Sequence, residues 1–288
     1  MKKEIIIATR GSRLALAQTE IVRRKIESRG VSCCVLTVKT KGDIDKKSDL
    51  SQIGGNGLFV REVETALLSG KADLAVHSAK DLPYTLADDL CVPCVTQAAD
   101  SRDCLVTVKG KALFENPVIG TGSARRKVQA SRLFPSASFK EIRGNVDTRL
   151  SKLLSGEYDG LILAKAGLDR LKPDLSAFDV RVFSTDEMIP AACQGILAVE
   201  CRKNDEDVLN LLSQMNDEES YLRFSAEQYL LSLLNADCSQ AVGVHSEIDR
   251  GTITITALFQ DKRVTKSGKS GDYKEVCLNV SEEFHEQQ

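Results

Sequence analysis

The 288-residue chain has no tryptophan, only three histidines, three methionines and six prolines, and aromatic residues make up 5% of it. So few aromatics exclude the stacking platforms on which single-stranded nucleic acids are held. The histidines (His77, His245 and His285) are far apart and show no paired-ligand spacing, which excludes a zinc centre; no metal is expected. A formal net charge of -2 and a pI near 6.0 exclude a general basic coat, so any concentration of cations must be local. Long apolar runs are missing too. Ile5-Ile6-Ile7 turns polar by Thr9 and Arg10, too soon for a signal peptide, and no later run approaches a membrane span. Nine cysteines, an odd number, then point to reduced thiols and a cytoplasmic protein.

What is present is a repeated local conflict. Three strand-like runs end in a small polar residue followed by an arginine-bearing helix start: Ile5 to Arg13, Val118 to Arg126 and Phe139 to Arg149. Ser12, Ser123 and Asn145 occupy the N-cap positions of amphipathic runs. A helix N-terminus already carries partial positive charge and free N–H donors, so arginine there opposes the dipole. A bound anion relieves that conflict, and the pattern implies a site for a ligand with several carboxylates or phosphates.

The spacing predicts βα alternation, hence a mainly parallel sheet covered by helices. Helices are expected over Gly11–Gly30, with Leu14, Ala17, Ile21, Val22 and Ile26 inward, and over Leu58–Gly70. Strands are expected at Val31–Thr40 and Ala72–His77. A second βα set runs from Val118 to Ala164. If the apolar run Ile196–Val199 returns to the first sheet, the chain crosses twice between two α/β domains, and a ligand cleft between them is natural. A long helix over Asp217–Leu234 precedes a change to β pattern. Thr252–Thr256 is a period-two strand, Val276–Val280 reads as another, and Asp261–Tyr273 reads as their charged separator. The expected division is 1–96 with 196–214, then 97–195, then 215–288.

Four motifs invite chemistry. Lys80-Asp81 follows the buried run ending at Ser78; an isolated Lys-Asp pair is usually a solvated turn, but the end of an apolar strand is where α/β sites gather their chemistry. A carboxylate flanked by cations there suits proton donation or support of a developing positive charge. Cys91-Val-Pro-Cys94 has metal-like or redox-like spacing, yet no further ligands and no helix start, so buried apolar thiols are expected, as for Cys33-Cys34. Gly54-Gly55-Asn56-Gly57 lacks the ending of a phosphate loop and reads as a hinged lid. Cys238 falls in a loop, where a thiolate is accessible to carry a covalent group.

Taken together, these motifs resemble the porphobilinogen deaminase family. The resemblance is carried by Ala8-Thr9-Arg10-Gly11-Ser12, Gly54 to Phe59, Val76 to Pro83, Gly120 to Arg126, Arg143 to Arg149, Leu163 to Leu168 and Gln194-Gly195, in family order over about the first 200 residues. It implies two type II periplasmic-binding-protein-like α/β domains around a cleft, plus a small α+β C-terminal domain. It implies a monomer that condenses four porphobilinogen molecules head-to-tail, with loss of ammonia, into linear hydroxymethylbilane; no nucleic-acid or membrane partner is expected. A dipyrromethane primer would hang on Cys238 by a thioether. Each pyrrole brings an acetate and a propionate, so two primer rings extended by four present twelve carboxylates.

The same resemblance implies residue roles. Asp81 would be catalytic, helping the amine leave and facing the azafulvenium cation. Lys80, Ser78, Thr121, Ser123, Arg125, Arg126, Arg143 and Gly144 would hold the cofactor with Asp81, and Arg10, Ser12, Arg143, Arg149 and Gln194 the substrate. Departures from the family pattern are Asn56, Gly122, Ser239 and an early chain end, so the last helix is expected to be short or absent. The rival reading is a non-enzymatic polycarboxylate-binding protein of the periplasmic-binding type.

Overall fold

The computed structural model describes residues 2, 4–39, 60–113, 115–236 and 240–285. The chain divides into two compact units, residues Met1–Ala99 with Ile196–Ser225 and residues Asp100–Gly195 with Ala226–Gln288. The fold is mixed α/β, with two sheet–helix layers and a small C-terminal α+β portion.

In the first unit, β1 (Glu4–Arg10), β2 (Ser32–Val38), β3 (Leu74–Ser78), β4 (Leu90–Val95) and β10 (Leu197–Arg202) form a sheet in the order β2-β1-β3-β10-β4. Only β10 runs against its neighbours, so the sheet is mainly parallel, and the run beginning at Ile196 does return to it. Such strands are buried on both faces, which is why Ile5, Ile7, Leu74 and Val76 form near-continuous apolar runs. One face packs on α1 (Arg13–Glu27) and α6 (Glu206–Ser213). The other face, through Ala8, Ala75 and Leu90, packs on α2 (Arg61–Leu68). Ser12 caps α1 as the sequence predicts, its hydroxyl accepting from Ala15 N at 3.2 Å. The buried face of α1 is Gln18, Thr19, Val22 and Ile26, and Ile21 is exposed instead of inward. Pro93 sits in a β4 bulge, where Val199 pairs with Cys94 and Cys201 with Cys91; a bulge is where a strand tolerates a missing N–H. Cys94 and Cys201 are consequently core residues.

The second unit repeats the plan. Strands β5 (Asp103–Val108), β6 (Val118–Gly120), β7 (Ser138–Lys140), β8 (Gly160–Ala164) and β9 (Phe178–Val182) form a sheet in the order β7-β6-β8-β5-β9, and β5 alone runs against its neighbours. Helices α3 (Ala124–Leu133), α4 (Val146–Leu154) and α5 (Lys165–Leu171) follow β6, β7 and β8. Ser123 and Asn145 cap α3 and α4, accepting from Arg126 N at 3.4 Å and Thr148 N at 2.8 Å.

Helix α7 (Glu218–Leu233) leads to an antiparallel sheet of β11 (Val242–Asp249), β12 (Thr252–Phe259) and β13 (Lys262–Lys269), covered by α8 (Tyr273–His285). Three expectations are corrected here. The charged separator contains β13, a polar edge strand whose lysines discourage pairing with another chain. Val276–Val280 is helical: Val276, Val280 and Phe284, with Cys277, make one buried face at a period of four. The last helix is neither short nor absent, at 13 residues.

Candidate functional site

In the first unit the expected residues gather at the ends of β1 and β3. Arg10 closes β1 and Ser12 starts α1; Ser78 closes β3, and a single 3₁₀ turn over Ala79–Asp81 carries Lys80 and Asp81. The Ser78 hydroxyl accepts from Gln18 Nε2 at 2.8 Å, so a buried amide on α1 fixes it. Asp81 is exposed, and among the described residues no hydrogen bond or ion pair engages its carboxylate, not even with Lys80 next to it. Behind this turn His77 Nε2 lies 3.0 Å from the fully buried Glu200 carboxylate.

In the second unit the cations converge on one carboxylate that the sequence reading did not single out. Asp103, the first residue of β5, is fully buried. Its Oδ2 accepts from Arg125 Nη1 at 2.7 Å, and its Oδ1 from Arg126 Nη2 at 2.7 Å, Arg126 Nε at 3.0 Å and Gln194 Nε2 at 3.0 Å. Arg125 also donates to Ile189 O at 2.6 Å, Arg126 Nη1 to Ile162 O at 3.0 Å and Gln194 to Ser101 O at 2.6 Å. Burial alone would push the Asp103 carboxyl up, but the charges of Arg125 and Arg126 outweigh it and hold the group well below the usual carboxylate range. Burial acts on the cations as well. It lowers Arg125 despite Asp103, and it lowers Arg149, with the nearby charge of Arg126 adding to the effect.

Arg149 lies on α4, and its guanidinium donates from Nε to Gly144 O at 2.8 Å. Gly144 needs to be glycine: its φ is +108°, and a Cβ would come within 2.9 Å of the Thr148 side chain. Arg143 is ion-paired to Glu141 at 2.8 Å. Thr121 is buried, and its hydroxyl accepts from Ser123 N at 3.2 Å. Arg170, also missed from sequence, donates to Gly195 O at 2.5 Å, and burial lowers its pKa to about 10. The Asp103 signal was a carboxylate at the head of an apolar strand, Asp103-Cys104-Leu105-Val106; its partners lie 22 to 91 residues away.

Cys238, Gly54 to Phe59 and Ser239 lie outside the described residues. Among the described residues the other eight cysteines form no disulfide with one another. Burial pushes Cys33 and Cys94 up to about 11 and Cys104 and Cys277 up to about 12, which makes them weak nucleophiles. Among the described residues no cluster of His, Cys, Asp or Glu could hold a metal ion, and no helix is long and apolar enough to cross a membrane.

Residues 5–210 match a family described as porphobilinogen deaminase, dipyrromethane cofactor binding domain. Over 299 residues the chain is 37% identical to the porphobilinogen deaminase of Sulfurimonas denitrificans, covering 99% of this chain and 94% of that one. It is 40% identical over 274 residues to that of Acetivibrio thermocellus, with 93% and 92% covered. Among solved structures it is similar to substrate binding domain 2 of Lactococcus lactis GlnP at a TM-score of 0.45 and 11% identity, covering 79% of this chain and 92% of that one.

Proposed function

This chain belongs to the porphobilinogen deaminase family, and from that premise we propose that it condenses four porphobilinogen molecules, releasing one ammonia per condensation, into linear hydroxymethylbilane. The observation that carries the reading is the charge cluster of the second unit: Arg125 and Arg126 buried against the single carboxylate of Asp103, with the half-buried Arg149 near enough to feel the charge of Arg126. Buried cations in excess of their counter-charges are costly unless a ligand supplies the rest. A growing pyrrole chain, with two carboxylates on every ring, is such a ligand.

The donor set fits the dipyrromethane cofactor. Arg126 commits Nε and one hydrogen from each of Nη1 and Nη2 to Asp103 and Ile162, which leaves a second hydrogen on each terminal nitrogen. Arg149 keeps both terminal nitrogens. We assign these, with Thr121, Ser123, Arg143 and Gly144, to carboxylates of the cofactor and growing chain, and Arg10, Ser12, Ser78, Lys80 and Gln194 to further ligand contacts. When bound, the group supplies the covalent primer to which pyrroles are added. Cys238 is its proposed anchor, as the family resemblance implies; burial makes Cys33, Cys94, Cys104 and Cys277 poor thiolates by comparison.

Asp81 is the proposed catalytic group. Its side chain is exposed and spends no hydrogen bond on the described residues, so its carboxylic acid form can hand a proton to the departing amine and become the carboxylate. The same negative charge then faces the cation left on the substrate, and it steers the attacking pyrrole through its N–H. A binding protein of the rival kind would need the cations but would have no use for a carboxylate so placed.

The test is stoichiometric. Purified protein incubated with porphobilinogen should release one ammonia per molecule consumed and one bilane per four. Binding without ammonia release would refute the reading.

A further inference from the structure

Resting on that reading, we infer that Asp103 is the positioning residue of the anion-binding half of the site: its one carboxylate, held in place with Arg125, sets the orientation in which Arg126 meets ligand carboxylates. The geometry is specific. Asp103 is fixed through its backbone, since β5 pairs at Asp103 with Ala164 and Asp103 O accepts from Phe183 N at 3.0 Å. Its two oxygens then divide the work. Oδ2 takes Arg125 alone, whereas Oδ1 takes two nitrogens of Arg126 and the Gln194 amide. A guanidinium held along one edge is a planar fork with its remaining hydrogens fixed in direction, the condition for two-point recognition of a carboxylate.

Two further observations separate this from ordinary burial of an ion pair. Arg125 and Arg126 are adjacent in the first turn of α3, where the helix dipole repels both, and that turn contains no acidic residue. Asp103 reaches them from another strand and supplies the counter-charge the helix lacks. The cluster also ties four separate pieces of the second unit together: the head of β5, the start of α3, β8 through Ile162 O and, through Ile189 O and Gln194, the segment before Gly195. A ligand carboxylate bound by Arg126 therefore meets a cation already oriented from behind.

The test uses full-length Asp103→Asn, which keeps the shape but loses the charge and turns one acceptor into a donor. The primer-bearing fraction is read by intact mass, and kcat and KM are read on that fraction. The expected result is a cooperative melt, a lower primer-bearing fraction, and a KM for porphobilinogen raised on the order of 10–100-fold, the scale of a misplaced binding group, with kcat changed much less. Asp103→Glu, which restores the charge, should recover part of the KM change. If Asp103→Asn does not melt cooperatively, Asp103→Asn/Arg125→Met removes one stranded cation and is compared with Arg125→Met alone; positioning requires the double variant to have the higher KM. Primer loading and KM within twofold of the reference, with only the melting temperature lowered, would overturn the inference. A wild-type protein that neither carries primer nor releases ammonia would instead defeat the family reading beneath it.

Discussion

The two units share one sheet plan and put it to opposite uses. In each, the strand in the fourth position is the only one that runs against its neighbours, and it is the strand entered after the chain crosses from the other unit: β10 in the first, β5 in the second. Both strands bring in a fully buried carboxylate, Glu200 and Asp103. Glu200 meets one imidazole, and among the described residues its Oε1 has no hydrogen-bond partner, whereas Asp103 binds two guanidinium groups and an amide. The turns that follow the strands differ in the same way. After β3 stands Asp81, a carboxylate left available; after β8, Lys165 and Asp169 neutralise one another. The fold supplies equivalent places, and the residues at those places decide whether a unit presents an exposed carboxylate or arginines gathered around a buried one.

Substitutions should break that division unequally. The largest effect belongs to Cys238→Ser, which should give folded protein with no covalent cofactor and no bilane, since a hydroxyl is a far weaker nucleophile than a thiolate. Intact mass checks it; a cofactor still attached would move the anchor elsewhere.

Next comes Asp81→Asn in the first unit. It preserves shape and removes both the negative charge and the proton, so turnover should fall on the order of 10²–10³ at matched cofactor loading. Asp81→Glu should lie between Asn and wild type, because the charge returns displaced by a methylene. Bilane formation by Asp81→Asn at the wild-type rate would make Asp81 a surface residue.

In the second unit, Arg143→Leu and Arg149→Leu should each harm primer assembly or KM more than folding. A ligand carboxylate left unpaired in a closed site costs about 2–5 kcal/mol. Kinetics within twofold of wild type for both would remove the cradle from the account.

The smallest effect is on acid stability. The Asp103 carboxyl is held well below its ordinary value, so its contribution is complete above the unfolded-state pKa of about 3.9 and is lost as the pH drops further. The wild-type melting temperature should thus fall more steeply below about pH 4 than that of Asp103→Asn. Parallel curves would mean that the carboxylate is not the counter-charge of the cluster.

Local rules made much of this legible. Ser12, Ser123 and Asn145 were readable as caps because a cap is decided within four residues, and all three accept the expected backbone N–H. The strands around Ile7, Val76 and Leu161 were readable because strands buried on both faces are apolar throughout. What stayed hidden was set at a distance. Asp103 is one more aspartate until β5 is laid beside β8 and α3 brings its arginines across. Val276 and Val280 were misread because β-branched residues favour strands, and the burial that overrode that preference comes from β12 and β13. The polar sequence of β13 showed no alternation because it is an edge strand facing water.

If the cations hold a covalently growing pyrrole chain rather than a ligand that comes and goes, the chain must stay on the protein through denaturation. Intact mass of the purified protein after a limiting addition of porphobilinogen decides between the two. The expected result is a protein heavier than its sequence by a dipyrromethane, with a ladder of successive pyrrole additions above it. A protein that stays at its sequence mass while it binds porphobilinogen reversibly would contradict it.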